Sequence, residues 1–320
     1  FSPAKGNSNT RGCSFALCMV DDFPVIALAG QRYWFIPDVG GILGSEAVTE
    51  GHESHVREDA WYPPRKRDVF ILQQLVGRDF KLKYRRSVLG VVWSVLNPLL
   101  MMIVMSLVFS FFLRYSEIQH YPLYLILGNV TWTVFSDSTN QGVTSIMGAA
   151  PLLKKVKVNK YIFPIEKVLF SLVNFAFSLI AVVIVMLFEG VMPSPTLLLL
   201  PVCIALLLVF CTGLSLMLSA SAVIFRDIIH LWSVVLMAWM YATPLFWPSS
   251  MIDQVPYHII RVLMKVNPMY NFVQFMRDIF ISATVPSAMC VFLCVFWSVV
   301  SIALGVLVFH RNEHKFILYI

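Results

Sequence analysis

A run of six polar side chains, Ser136-Asp137-Ser138-Thr139-Asn140-Gln141, interrupts an apolar stretch of this 320-residue chain. An ionisable group in a membrane segment is costly unless it faces a bundle interior or water. Asp137 and Asn140 are therefore candidate residues of a polar path across a membrane. The alternative is that the run lies near one membrane face or hydrogen-bonds to neighbouring helices. No Gly-x-x-x-x-Gly-Lys-Ser/Thr loop is present to cradle nucleotide phosphates, and no His-Glu-x-x-His pair to hold zinc. The His residues are scattered. Cys203, Cys211, Cys290 and Cys294 lie in apolar runs, where free Cys acts as a small hydrophobe. Cys13 and Cys18 have no partner cluster. No catalytic site, metal site or cofactor is expected in this chain.

Aromatic residues recur near the ends of apolar runs, among them Trp239, Tyr241 and Phe246. They read either as an interfacial belt or as path-lining faces on which sugar rings could slide. Charged clusters flank the same runs: Arg78-Asp79, Lys81, Lys83 and Arg85-Arg86; Lys154, Lys155 and Lys157; and Arg226-Asp227. They read as contacts for a partner that supplies force, or as residues that set topology and touch anionic lipid.

These residues need elements to position them, and composition says which. The chain is 58% hydrophobic and 13% charged, where soluble domains carry about a quarter charged residues. Lipid is the natural solvent for most of it. The net charge of +6 belongs to basic residues beside apolar runs, so it reads as a topology signal rather than a nucleic-acid surface. Six stretches approach spanning length, at about 20 residues each: Val92–Leu113, Tyr121–Met147, Pro164–Phe188, Leu197–Ile224, the shorter Leu231–Trp247, and Pro286–Phe309. Flanking segments on one side hold 17 Lys and Arg against 4 on the other. That imbalance places both termini in the cytoplasm.

The expected fold class is an all-α integral membrane protein with six transmembrane helices. An N-terminal amphipathic interface helix is expected over Arg67–Tyr84, with Val69, Leu72, Val76 and Phe80 on its apolar face. An outer re-entrant segment, two short helices within Pro248–Val285, would lie between spans five and six. The domain reading is a leader of little order over 1–60, a cytoplasmic interface helix over 61–90, a transmembrane domain over 91–309 and a cytoplasmic tail over 310–320.

The run Arg78-Asp79-Phe80-Lys81-Leu82-Lys83-Tyr84-Arg85-Arg86-Ser87-Val88-Leu89-Gly90-Val91-Val92-Trp93-Ser94-Val95-Leu96-Asn97-Pro98-Leu99 resembles the opening of the ABC-2 permeases that export polysaccharides, O-antigen and teichoic-acid exporters among them. Leu152-Leu153-Lys154-Lys155-Val156, Ile162-Phe163-Pro164, Phe225-Arg226-Asp227-Ile228, Tyr241-Ala242-Thr243-Pro244-Leu245-Phe246 and Asn267-Pro268-Met269-Tyr270 resemble later parts of that family in order. The resemblance covers about residues 67–320; the leader is longer than that family usually shows.

The resemblance implies a homodimer in a bacterial cytoplasmic membrane, joined by two separate ATP-binding cassette subunits that bind ATP and Mg. It implies a lipid-linked glycan or polyol-phosphate polymer as cargo. Arg67–Tyr84 and roughly Pro151–Tyr161 would contact the ATPases. An ABC-2 permease for a drug or small lipid, and an ATP-independent channel or carrier, stand as alternative readings.

Overall fold

The computed structural model describes residues 16–20, 23–28, 31–34, 64–85, 89–112, 120–154 and 158–316. Arg86, Lys155 and Lys157 fall outside them. The chain divides into two compact units, Phe1–Glu58 and Asp59–Ile320. The described residues of the first unit form an antiparallel sheet of β1 (Ala16–Val20), β2 (Phe23–Leu28) and β3 (Gln31–Trp34). Two residues link each pair, with Val20 opposite Phe23 and Leu28 opposite Gln31. Pro24 pairs only with β1, beyond the last β2–β3 pair at Val25 and Trp34. A missing ladder donor is tolerated there.

The regular elements among the described residues of the second unit are helices. In order they are α1 (Pro64–Tyr84), α2 (Val92–Phe112), α3 (Tyr121–Gly148), α4 (Ala150–Leu153), α5 (Ile162–Phe188), α6 (Leu200–Ile224), α7 (Ile228–Ala242), α8 (Met251–Gln254), α9 (His258–Val266), α10 (Pro268–Arg277) and α11 (Ala288–Asn312). Among the described residues, four helical stretches are long and apolar enough to cross a membrane: Val92–Phe109, Ile162–Phe188, Pro195–Ile224 and Ala288–Lys315. The remaining two expected spans differ from these. Helix α3 has 28 residues, about 42 Å at 1.5 Å per residue, but is too polar in its middle. Helix α7 has only 15.

Local chemistry sets the boundaries. Helix α7 ends at Ala242, not at Trp247 as expected from hydropathy, because Thr243 precedes Pro244 and takes an extended conformation, φ −106° and ψ 132°. Helix α6 begins at Leu200, after a 3-10 turn over Pro195–Leu199 capped by the Ser194 side chain. The Ser287 hydroxyl caps α11 by accepting from the Cys290 N–H at 3.2 Å. The stretch Pro248–Val285 holds three α-helices, α8 to α10, and a π-helical turn over Asp278–Ser282, rather than two helices.

Helices α6 and α11 make the most extensive contact in the unit. Gly213 and Gly305 face each other so closely that a Cβ on either would collide with the opposite backbone. The Ser298 and Ser301 hydroxyls donate across to the Leu206 and Phe210 carbonyls at 2.8 and 2.7 Å. Close backbone approach and polar cross-links are how helices associate in lipid, where apolar faces gain nothing from leaving the solvent. Helix α3 packs on α6 and α5. Its Phe135 is fully buried and meets Trp132, Phe210 and Trp239 at ring-centroid distances of 5.3, 5.8 and 5.2 Å.

Helix α1 docks on α5 by part of the apolar face read from its spacing: Leu72 packs in the cluster of Ile162 and Phe163, and Phe80 stacks on Phe177 at 6.0 Å. Leu75 packs with Ile162 and Phe163, while Val69 is 54% exposed. Polar bonds set the rotation. Asp68 accepts from Asn159 and Tyr161 at 2.6 and 2.7 Å, and Asp79 is paired with Lys167.

Candidate functional site

Polar groups gather in three places. The first is the junction of α1 with α5. The Arg78 guanidinium donates twice to Asp79 Oδ1, at 2.9 and 2.8 Å, while Asp79 Oδ2 meets the Lys167 ammonium. Lys167 also contacts Glu166 at 3.1 Å. Burial pushes the Asp79 carboxyl up, but the hydrogen bonds from Lys167 and Arg78 prevail and hold it below the usual carboxylate range. One turn further along α1, Lys83 Nζ and the Tyr84 hydroxyl both donate to Asn174 Oδ1, at 3.0 and 2.9 Å. Tyr84 also shares a hydrogen bond with Ser94 at the start of α2. The Lys83 ammonium thus reaches across onto α5.

The second place is one face of α3. Asn129, Thr133, Ser136, Asp137, Asn140, Gln141 and Thr144 recur at spacings of three and four, and all are exposed or half-buried in this chain. Residues between them, including Val130, Phe135 and Val143, are buried. The run read from the sequence is split by the helix. Ser138 and Thr139 turn into the core and donate to the Phe135 carbonyl, whereas Asp137 and Asn140 stay on the uncovered face. A polar face of this length cannot rest against hydrocarbon without cost. The face suits water, a polar solute or another protein surface.

The third is a node where the chain leaves α7. Four successive carbonyls there lack helical partners, and side chains supply them. Arg277 donates to Pro244 at 2.8 Å and to Leu245 at 3.0 Å, the Tyr121 hydroxyl to Phe246 at 2.9 Å and the Tyr124 hydroxyl to Trp247 at 2.9 Å. The Arg277 guanidinium is buried 3.3 Å from the Tyr124 ring centroid. Gly128 leaves it room, since a Cβ there would stand 2.9 Å from Arg277 Nη2. Beside this clasp, Asn267 accepts from the Trp239 indole at 2.8 Å and donates to Thr243 at 3.1 Å. Non-helical backbone at membrane depth requires such internal satisfaction.

The aromatic residues singled out by sequence separate accordingly. Trp239 is half-buried and bonded to Asn267, Phe246 is stacked on Phe109 at 5.7 Å, and Tyr241 is 68% exposed. Arg226 and Asp227 are exposed in the turn before α7; Lys81, Arg85 and Lys154 are exposed too. The four apolar-run cysteines are buried and free. Residues that sequence reasoning missed are Glu166, Asn174 and Arg277. For Glu166 and Asn174 the signal was available, because each is a polar residue within an apolar helix.

The amino-acid sequence has counterparts among known proteins. Residues 71–281 match the ABC-2 type transporter family. The chain belongs to that family. It is 33% identical over 218 residues to the O-antigen export system permease protein RfbA of Myxococcus xanthus, covering 68% of this chain and 83% of the relative. It is 26% identical over 247 residues to the O-antigen export system permease protein RfbA of Klebsiella pneumoniae, covering 77% of this chain and 93% of the relative. The chain is therefore a membrane-embedded ABC-2 permease.

Proposed function

We propose that this permease exports a lipid-linked polysaccharide or polyol-phosphate polymer across the bacterial cytoplasmic membrane. The observation that carries the reading is the uncovered polar face of α3 in a chain akin to O-antigen export permeases. In this reading α3 and α7 join the four long apolar helices as the second and fifth of six spans. Both termini are then cytoplasmic. Two copies pair, and Asp137 and Asn140 line the path between them, with Tyr241 and Phe246 nearer its outer mouth. Trp239 supports that mouth through Asn267 rather than by contact with cargo.

Helix α1 lies along the inner headgroups, with the exposed Val69, Phe70 and Leu82 towards lipid. Two ATP-binding cassette subunits bind ATP and Mg and press on the inner face. Their contacts are Arg78, Asp79, Lys81, Arg85, Arg86, Lys154, Lys155, Lys157 and the Arg226-Asp227 turn. Lys83 and Asp79 transmit that force, because both are bonded to α5.

Single cysteines at Thr133, Asn140 and Thr144, in a background without native cysteines, test the path. A membrane-impermeant thiol reagent should label them in cells, and labelling should block export. A cysteine at the buried Val143 should stay unlabelled. Equal protection of all four positions would overturn the assignment of the path to α3.

A further inference from the structure

Helices α2, α3, α5, α6, α7 and α11 hold Asp137, Glu166, Lys167 and Arg311 as their only Asp, Glu, Lys or Arg residues. All but Asp137 stand near helix ends. Lys167 pairs with Glu166 at 3.1 Å in the second turn of α5, and Arg311 is next to the last residue of α11. Asp137 is near the middle of α3, half-buried on the uncovered face among Thr133, Ser136, Asn140 and Thr144. Away from the helix ends, the fixed charge that these helices can offer a passing solute is therefore negative. That holds whichever of them line the path and however many copies assemble.

Cations outside these helices do not reverse the balance. Lys83 of α1 is within electrostatic reach of Asp137, but its ammonium is bonded to Asn174 Oδ1 at 3.0 Å and lies over the rings of Tyr84 and Phe170. At most it offsets Asp137. Arg277 of α10 is buried and directs its donors to the Pro244 and Leu245 carbonyls. Arg261 and Lys265 of α9 are bonded to the Val255 carbonyl and to Asp253. Pores that pass anions and phosphates carry rings of Arg or Lys, because an unmatched charge in a low-dielectric passage is costly. A neutral sugar needs only hydrogen-bonding partners, which amides and hydroxyls supply.

We propose that the α3 face selects an uncharged glycan and rejects a polymer with a phosphate in every repeat. The proposal rests on the reading that the permease exports a lipid-linked polymer along α3, and it decides between the two cargo classes named there. Each repeat of a polyol-phosphate polymer would carry a negative charge past Asp137, with no cation on the middle of these helices to meet it. The phosphate of a lipid carrier crosses only once per chain.

The test uses vesicles holding the full permease with its ATP-binding cassette ATPase. The probes are a polyprenyl-diphosphate-linked mannose oligomer and the same carrier bearing a glycerol-phosphate oligomer of equal length. ATP-dependent translocation of the phosphate oligomer should be slower by roughly tenfold or more, the scale of one like-charge encounter near a protein surface. Asn140→Lys places a cation on the uncovered face and should raise the phosphate-to-mannose ratio by a similar factor; Thr133→Lys, at a second exposed position, gives the same readout. A ratio taken within one preparation does not depend on how much of a variant folds. A phosphate oligomer that moves as fast as the mannose oligomer or faster, or a ratio unmoved by both lysine variants, overturns the selection and leaves the export reading standing. ATP-dependent movement of neither probe overturns both.

Discussion

Gly305→Ala is the substitution whose cost follows most directly from the structure. The added methyl would fall onto the backbone of Gly213, at the closest approach of α6 and α11. No side chain can move aside, because the obstacle is main chain, so the helices must separate. Overpacking of this kind costs about 1–3 kcal/mol. Separation also stretches the hydrogen bonds from Ser301 to Phe210, 2.7 Å, and from Ser298 to Leu206, 2.8 Å. Such interhelical bonds in membranes contribute about 0.6 kcal/mol each on average and at most about 1.7. The better helix propensity of Ala returns about 1 kcal/mol. The expected net loss is about 1–4 kcal/mol.

The assay is equilibrium unfolding of the purified permease in mixed micelles, followed by tryptophan fluorescence. Gly77→Ala is the internal control: it lies mid-helix in α1, and a Cβ there meets nothing within 4 Å. It should be neutral or stabilising by about 1 kcal/mol or less. If Gly305→Ala proves as stable as the parent, the packing of α6 on α11 described above is wrong.

Three further outcomes are expected. Arg277→Met should destabilise the protein by about 2–4 kcal/mol by leaving the Pro244 and Leu245 carbonyls without donors, and limited proteolysis should then cut near residues 243–247. Asp79 is held below its ordinary pKa, so its contribution is full above the unfolded value, about 3.9, and is lost only as pH falls through the lower folded value. A spin-label pair on α1 and α5 should therefore keep its distance from pH 7 down to about pH 4 and lengthen below it, whereas Asp79→Asn should lengthen it throughout. Trp239→Phe keeps the ring contact with Phe135 but loses the bond to Asn267, a cost of about 1 kcal/mol, while Tyr241→Ala, at a 68% exposed position, should leave stability unchanged and lower export.

Hydropathy in the amino-acid order already determined that the chain lives in lipid, and it located α2, α5, α6 and α11 to within a few residues. Those are local properties, set by length and by the absence of charge. The ordered motifs from Arg78 to Tyr270 pointed to the ABC-2 family, and the polar run on α3 singled out a face that hydrocarbon would not cover. Tertiary structure alone decided which faces meet. In α5, α6 and α11 nearly every position is apolar, and lipid is as apolar as a protein interior. No amphipathic period therefore distinguishes the side that packs from the side that faces hydrocarbon. The close pairing of Gly213 with Gly305 and the turning of Lys83 onto Asn174 left no such trace, nor did the pairing of Arg277 with the carbonyls after α7, because each joins groups far apart in the chain. Helix α3 is the exception that shows the reason. Its polar residues cannot all face hydrocarbon, so the sequence revealed their importance, and the helix then divided the run. Ser138 and Thr139 turned to the core, and Asp137 and Asn140 to the uncovered face.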